Sequence, residues 1–221
     1  MSISDNLTQI KHRIKIAAEN AGKDAAGITL VAVTKTVPVD VVNQAINLGI
    51  TNVGENRVQE LLSKDAELLP VRKHLIGHLQ SNKVKQIVGK VDLIHSVDSI
   101  NLLHAINLQA EKLGIIQDVL MQINVSGEES KFGMPLESVS QFTEVAKALE
   151  NVNLRGIMTI PPISDDKEFL KDIFKRTREA YETADSEFDI LSMGMSMDFE
   201  LAITCGANMV RIGSGIFGSR M

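Results

Sequence analysis

The chain of 221 residues carries a formal net charge of −5, with 44% hydrophobic and 23% charged residues. This balance excludes a largely disordered chain, and it offers no basic stripe that would neutralise a nucleic-acid backbone. No stretch approaches the roughly 20 consecutive apolar residues of a membrane helix, and the N-terminal segment lacks the apolar core of a signal peptide. One cysteine, Cys205, cannot form an internal disulfide, in agreement with a reducing compartment. We therefore expect a folded cytoplasmic protein that binds neither nucleic acid nor membrane.

The chain opens with a predicted amphipathic helix over residues 3–21. Its apolar residues recur at spacings of three and four, at Ile3, Leu7, Ile10 and Ile14. That periodicity is typical of one helix face, and Gly22 is a typical terminator. The same periodicity predicts helices over Asp98–Leu113 and Pro135–Leu149.

After the first helix, short apolar runs alternate with helical stretches, the rhythm that builds a parallel sheet from repeated βα units. Eight runs are predicted strands: ITLVAVTKT from Ile28, TNVGEN from Thr51, HLIGHL from His74, LIHSV from Leu93, DVLMQINV from Asp118, LRGIMTI from Leu154, FDILSMG from Phe188 and MVRIGSGIFG from Met209. In a chain of this length they favour an α/β fold, the (β/α)8 TIM barrel, over an open sheet. We expect one domain, residues 1–221, with an extra N-terminal helix.

Polar residues fall at the predicted carboxyl ends of these strands, where barrels place their chemistry. They are Lys35, Asn56, Gln80, Ser96, Asn124, Thr159, Ser196 and Ser214. Lys35 is the most unusual, because it interrupts the apolar run LVAVTKT. A lysine at a barrel rim normally extends its ammonium group to water. Burial near the mouth would instead lower its pKa and produce the neutral amine that attacks an aldehyde.

The last run, VRIGSGIFG, is predicted to bind phosphate. Gly213 and Gly215 would let backbone N–H groups approach a ligand closely, and Ser214 between them adds a hydroxyl donor. Ser196 ends the seventh predicted strand, and barrels often bind phosphate after strands 7 and 8. The alternative, in which the glycines only close the barrel, leaves the two serines unexplained.

His74 and His78 have the i, i+4 spacing of zinc ligands on a helix. The run that contains them is predicted as strand, where four residues span roughly 13 Å. We therefore predict no metal site from this pair. No Ser-His-Asp order or paired-carboxylate pattern indicates a catalytic group, and we assign no catalytic residue.

Several stretches taken together resemble the pyridoxal 5′-phosphate (PLP) binding proteins of the pyridoxal phosphate homeostasis family. They are VTKT with GENRVQE downstream, then HLIGHLQSNK, then SMGMSMDFELAI and VRIGSGIFG. The likeness covers essentially the whole chain and depends on the order and spacing of these stretches. It implies a barrel similar to the N-terminal domain of alanine racemases.

The resemblance also implies roles for individual residues. Lys35 would hold PLP as a Schiff base, and Asn56 would contact the ring hydroxyl. Three residues would hold the phosphate: Ser196, Gly213 and Ser214. Arg211 would lie beside the pyridine nitrogen. A guanidinium there disfavours a protonated ring, so the ring would be a weaker electron sink than beside a carboxylate.

The sequence departs from the racemase pattern. Racemases add a C-terminal β domain and use a tyrosine of a partner subunit as a second acid/base, whereas this sequence stops at the eighth strand. Its one tyrosine, Tyr181, shares a helical spacing with Leu170, Ile173 and Phe174, which predicts a packing residue. Without a second base, two-base racemisation is not expected. Without the β-domain contact, we expect a monomer.

The leading hypothesis is a PLP-binding protein that acts in PLP homeostasis and amino-acid balance without clear catalysis, exchanging PLP with PLP-dependent apoenzymes. The alternative is a stand-alone amino-acid racemase, or another PLP-dependent enzyme, with Lys35 as its one base. A third hypothesis, a Schiff-base aldolase without cofactor, gives Arg211 no particular role.

Overall fold

The computed structural model describes residues 2–128, 131–184 and 187–218. Over these residues, eight parallel strands close into a barrel in chain order, which confirms the predicted (β/α)8 fold. The strands are β1 Thr29–Val33, β2 Asn52–Glu55, β3 Arg72–Leu75, β4 Leu93–Val97, β5 Gln117–Ile123, β6 Val152–Thr159, β7 Ile190–Ser192 and β8 Met209–Ile212. The helices are α1 Ile3–Asn20, α2 Val39–Asn47, α3 Val58–Lys64, α4 Val84–Ile87, α5 Ile100–Leu113, α6 Val139–Lys147, α7 Lys167–Ala184, α8 Phe199–Thr204 and α9 Ser214–Phe217. No helix in the described part of the chain is long and apolar enough to cross a membrane.

Helix α1 confirms the predicted N-terminal addition to the barrel. Ser2 and Asp5 form a capping box at its start, which satisfies backbone N–H groups that have no partner within the helix. The buried residues Leu7, Ile10 and Ile14 of α1 form one cluster with residues of α8, β8 and α9, which are Phe199, Ile203, Val210 and Ile216. The Asn6 side-chain amide donates to the Ile216 carbonyl at 2.9 Å. The helix therefore covers the outside of the barrel where β8 returns to β1.

The barrel interior has an apolar layer and, above it, a polar layer. Val31, Leu93, Leu120, Met158 and Met209 form a separate small cluster, against which Ile190 also packs. Side chains on one face of a strand recur every second residue. Two residues beyond Leu93, Ile190 and Met209 come His95, Ser192 and Arg211, which are all buried. Polar groups therefore occupy the inside of the barrel next to its carboxyl-end mouth.

The structure corrects several predicted element boundaries. The run from Met209 is strand only to Ile212, and residues 214–217 are helical. Lys35 lies two residues beyond β1, in a turn. Ser96 is not at the rim, because it lies inside β4 and is fully buried. Residues 136–138 form a 3-10 turn before α6 rather than its first turn.

Candidate functional site

A cavity of about 1180 Å³ opens at the carboxyl ends of the strands. Its walls come from the β1, β7 and β8 ends, the segment between β6 and α7, and helices α1 and α8. Five of the six predicted binding residues line it: Lys35, Ser196, Arg211, Gly213 and Ser214. The parallel register of the barrel explains this, since strand ends far apart in sequence meet at one rim.

The sixth predicted residue, Asn56, is not among the residues that line this cavity. It directly follows β2 and is half-buried. Its backbone packs tightly against the next strand end, since a Cβ at Gly77 would lie only 2.3 Å from the Asn56 carbonyl oxygen. Gly77 therefore permits the close approach that sets the position of Asn56 at this rim.

The turn that carries Lys35 is held in an unusual conformation. Thr36 has φ 62°, a left-handed backbone conformation that is rare for a β-branched residue and costs about 1–3 kcal/mol. The Val37 N–H donates to the Thr34 carbonyl at 3.0 Å, which closes the turn around the half-buried Lys35. Such strain persists only where neighbouring groups enforce it.

A cluster of three charged residues, Glu55, Glu60 and Lys64, enforces this turn. The Lys64 ammonium donates to the Thr34 carbonyl at 2.8 Å, to Glu55 at 2.6 Å and to Glu60 at 2.8 Å. The Glu60 carboxylate accepts from the Thr36 N–H. The backbone is thus held on both sides of Lys35 by one ion-pair cluster.

The carboxylates of this cluster differ in their electrostatics. Burial raises the pKa of Glu55, although hydrogen bonds from Lys64 and Thr34 oppose the shift. Burial also acts on Glu60, but hydrogen bonds from Lys64 and the Thr36 N–H outweigh it and lower the pKa. Lys64 therefore favours the ionised form of both carboxylates behind the Lys35 turn.

Ser196, Gly213 and Ser214 form the predicted phosphate corner. The Gly215 N–H points to the Ser196 hydroxyl at 3.4 Å, which joins the ends of β7 and β8. A Cβ at Gly213 would lie 3.3 Å from the Val33 side chain and carbonyl of β1. This glycine therefore lets the corner approach the strand that precedes Lys35, and hydroxyl and backbone donors gather beside the lysine.

Arg211 lies fully inside the barrel below this corner. Its guanidinium donates to the Ser192 hydroxyl at 2.6 Å and to the Thr159 carbonyl at 2.8 Å. Burial lowers its pKa to about 10, while Asp198 favours the charged form. Both of these hydrogen-bond acceptors are neutral. A buried cation with neutral acceptors is well placed to meet an electron pair or an anion of a ligand.

Asp198 is a site residue that the sequence patterns did not indicate. It lines the cavity, its carboxylate accepts from the Met195 N–H at 2.6 Å, and burial raises its pKa. It therefore shapes the segment that presents Ser196 and compensates part of the charge of Arg211.

Comparison with known proteins places this geometry in a family. A family model described as "Alanine racemase, N-terminal domain" matches residues 6–221. A pyridoxal phosphate homeostasis protein of Aquifex aeolicus is 43% identical over 226 residues, covering 100% of this chain and 99% of the relative. The chain belongs to the pyridoxal phosphate homeostasis protein family.

Two solved structures extend this comparison. An unknown protein from Bifidobacterium adolescentis has a TM-score of 0.93 at 34% identity, covering 97% of this chain and 94% of that one. PipY of Synechococcus elongatus, solved with PLP bound, has a TM-score of 0.86 at 29% identity, covering 98% and 100%.

The contacts of Glu55 and Glu60 give the family stretch GENRVQE a structural role. Within it, only Asn56 was predicted from the sequence to have a role, whereas Glu55 and Glu60 belong to the cluster that holds the Lys35 turn. Lys64, one helical turn beyond Glu60, completes the cluster, and an i, i+4 Glu–Lys spacing is a signal that could have revealed this part of it.

The two histidines of the family stretch HLIGHLQSNK lie in different environments. His74 is buried inside the barrel and hydrogen-bonds His95 and Asn52, at 2.9 and 3.0 Å. His78 lies beyond β3, pairs with Asp98 at 3.1 Å and stacks on Phe132. The predicted strand run from His74 thus ends before His78.

Acid is expected to destabilise the fold through His74. Burial lowers the pKa of this ring to about 4, whereas in an unfolded chain it is near 6.5. The unfolded state therefore binds more protons between these values, so stability is complete above pH 6.5 and is lost as pH falls toward 4. This group contributes roughly 3 kcal/mol to the loss.

Urea unfolding of the protein and of His74→Gln at pH 7 and pH 4.5 measures this contribution. The His74→Gln variant should lose less stability on acidification than the wild-type protein does. An unchanged pH slope in His74→Gln would contradict the assignment.

Proposed function

We propose that this protein binds PLP in the cavity at the carboxyl-end mouth, as a Schiff base on Lys35, and acts in PLP homeostasis and amino-acid balance without clear catalysis. The observation that carries the proposal is the meeting of Lys35, the phosphate corner and Arg211 around one cavity. Its relatives are named pyridoxal phosphate homeostasis proteins, and PipY was solved with PLP bound, which supports the same cofactor.

The residues present fit PLP group by group. Lys35 supplies an amine for the aldehyde, and Ser196, Gly213 and Ser214 supply donors for the phosphate. Arg211 would present its buried guanidinium to the ring nitrogen and would disfavour protonation of that nitrogen. Asn56, which directly follows β2, the strand next to β1, remains our proposed contact to the ring hydroxyl. Bound PLP supplies an electron sink, and Arg211 makes that sink weak.

The phosphate corner predicts a preference for the phosphorylated cofactor. Replacing both Ser196 and Ser214 with alanine removes two hydroxyl donors, and a hydrogen bond to a charged group contributes about 1.5–3 kcal/mol. We expect PLP affinity to fall by at least about tenfold, while the affinity for pyridoxal, which lacks the phosphate, changes little. Equilibrium dialysis with each compound measures the difference, and equal losses for both would contradict the corner.

The position of Tyr181 supports the proposal of a carrier over a racemase. It lies on α7, and its hydroxyl donates to the Phe188 carbonyl at 2.6 Å, where the ring packs on the hydrophobic core as predicted. This hydroxyl is away from the cavity, so it does not supply a second base there. Our proposal assigns one base, the half-buried Lys35, and one base favours binding over efficient racemisation.

Hydrogen exchange at the amino-acid Cα separates the two functions. Protein loaded with PLP is incubated with each common amino acid in deuterated water, with free PLP as the reference. The proposal predicts exchange no faster than with free PLP. Rapid exchange that depends on Lys35 would establish an enzyme and overturn the carrier proposal.

We further propose that residues 1–221 form one domain that acts as a monomer in the cytoplasm and passes PLP to PLP-dependent apoenzymes. The absence of a membrane-spanning helix in the described residues is compatible with this. Sedimentation of the loaded protein should give a mass near 24.2 kDa, and a concentration-independent dimer would contradict the monomer.

A further inference from the structure

A continuous chain of hydrogen bonds crosses the barrel interior below the proposed PLP site. It begins at Arg211, whose guanidinium contacts the Ser192 hydroxyl at 2.6 Å. The same hydroxyl lies 3.2 Å from His95 Nδ1. His95 Nε2 lies 2.9 Å from His74 Nδ1, and His74 Nε2 lies 3.0 Å from Asn52 Oδ1. Four of the five side chains are at most 3% exposed, and Asn52 is 9% exposed.

The chemistry of the two ends determines which group donates at each step. A guanidinium has no acceptor, so Arg211 must donate to Ser192. At the other end, Asn52 Oδ1 can only accept, because the Asn52 amide nitrogen donates to the Thr51 hydroxyl at 3.0 Å. His74 must therefore donate from Nε2.

The donor role of His74 Nε2 determines the donors and acceptors of the remaining hydrogen bonds. A neutral His74 that donates from Nε2 accepts at Nδ1, so His95 donates from its own Nε2. The neutral His95 then accepts at Nδ1, and the Ser192 hydroxyl supplies that proton. Both imidazoles stay neutral because their burial lowers the pKa values, that of His74 to about 4 and that of His95 well below 6.5.

Each group in this chain therefore turns its acceptor toward Arg211 and its donor away from it. The lone pairs of Ser192, His95 and His74 all lie on the side that faces the cation, so their dipoles are aligned. Aligned dipoles in a region of low dielectric stabilise a charge more strongly than they would in water. The chain ends at Asn52 and His74, which line a second cavity of about 220 Å³ at the opposite mouth.

We infer that Ser192, His95 and His74 are positioning residues that hold the Arg211 guanidinium charged and oriented, and so keep the ring nitrogen of bound PLP unprotonated. This inference rests on the proposed PLP function. Ser192 has the largest effect, because its hydroxyl is the direct acceptor for Arg211.

The variant Ser192→Ala tests this role. Without the hydroxyl, one buried guanidinium N–H loses its acceptor, and Arg211 is held less firmly toward the ring nitrogen. We expect the ¹⁵N resonance of PLP labelled at the ring nitrogen to move, and PLP affinity to fall by up to about tenfold. Ser192→Thr keeps the hydroxyl and should restore the wild-type resonance.

Ser96→Ala is the matched control. Ser96 is also a fully buried serine, but its hydroxyl has no hydrogen-bond partner among the described residues. It should leave both the ring-nitrogen resonance and the PLP affinity unchanged. If Ser192→Ala behaves like Ser96→Ala, the inference is wrong.

A second measurement needs no substitution. In wild-type protein labelled with ¹⁵N-histidine, both His74 and His95 should be neutral with the proton on Nε2 at pH 7. A proton on Nδ1 of either ring reverses the chain and overturns the inference, whether or not Ser192→Ala folds. Failure of the wild-type protein to bind PLP would instead refute the proposed function, and the histidine tautomers would still report on the chain.

Discussion

Replacing Lys35 with alanine is expected to abolish the imine absorbance that forms when PLP is added to the protein. The substitution removes the amine that condenses with the aldehyde, while the phosphate corner and Arg211 remain. PLP should still bind, but without a covalent bond, and should be lost on extensive dialysis. The visible spectrum after addition of PLP, followed by dialysis, measures both effects.

Two further variants make this result specific. Lys35→Arg keeps a positive charge at the rim but is always protonated and does not form the imine, so it should behave like the alanine variant. Lys167, the other lysine that lines the cavity among the described residues, is the matched control, and Lys167→Ala should retain the absorbance. Full imine absorbance in Lys35→Ala would contradict the proposal.

Replacing Lys64 with methionine is expected to destabilise the fold and to slow the reaction of Lys35 with PLP. The Lys64 and Glu55 side chains are only 13% and 4% exposed. Removing one partner of a buried ion pair leaves the other charge uncompensated, at a cost of about 3–5 kcal/mol. The Thr36 turn also loses the cluster that enforces it, so Lys35 should become less well positioned. Urea unfolding and stopped-flow imine formation measure the two effects.

The pair Lys73–Asp65 provides the control for burial. Its N–O distance is also 2.6 Å, but its side chains are 26% and 28% exposed. Lys73→Met should therefore destabilise the fold by only about 1 kcal/mol or less, and it should not change the rate of imine formation. Equal losses in the two variants would show that the cluster behind Lys35 has no special role.

Much of the barrel could be predicted from the sequence, because the end of each strand is marked by residues that are close together in the chain. Lys35, Ser196 and Ser214 follow short apolar runs, and a parallel barrel brings all such ends to one rim. Arg211 lies deeper in the barrel than these strand ends. The alternation of side chains along β8 from Met209 predicts that Arg211 faces the barrel interior. Each of these residues could be predicted from a sequence pattern that spans about ten residues.

The features that the sequence did not reveal depend on contacts between distant segments. The left-handed conformation of Thr36 is imposed by Glu60, which lies 24 positions away. The contact between His74 and His95 depends on the stagger between β3 and β4, whose register pairs His74 with Leu93. Neither the strand pattern nor residue type predicts such a register. For the same reason, the run HLIGHL did not indicate the contact between His74 and His95.

Borohydride reduction of the PLP-loaded protein, followed by peptide mapping, tests the central claim most directly. Reduction fixes a Schiff base as a stable secondary amine on the lysine that formed it. The account predicts one modified peptide that contains Lys35, absent when PLP is omitted. Modification of Lys167 or of scattered surface lysines in its place, or no modified lysine at all, would contradict it.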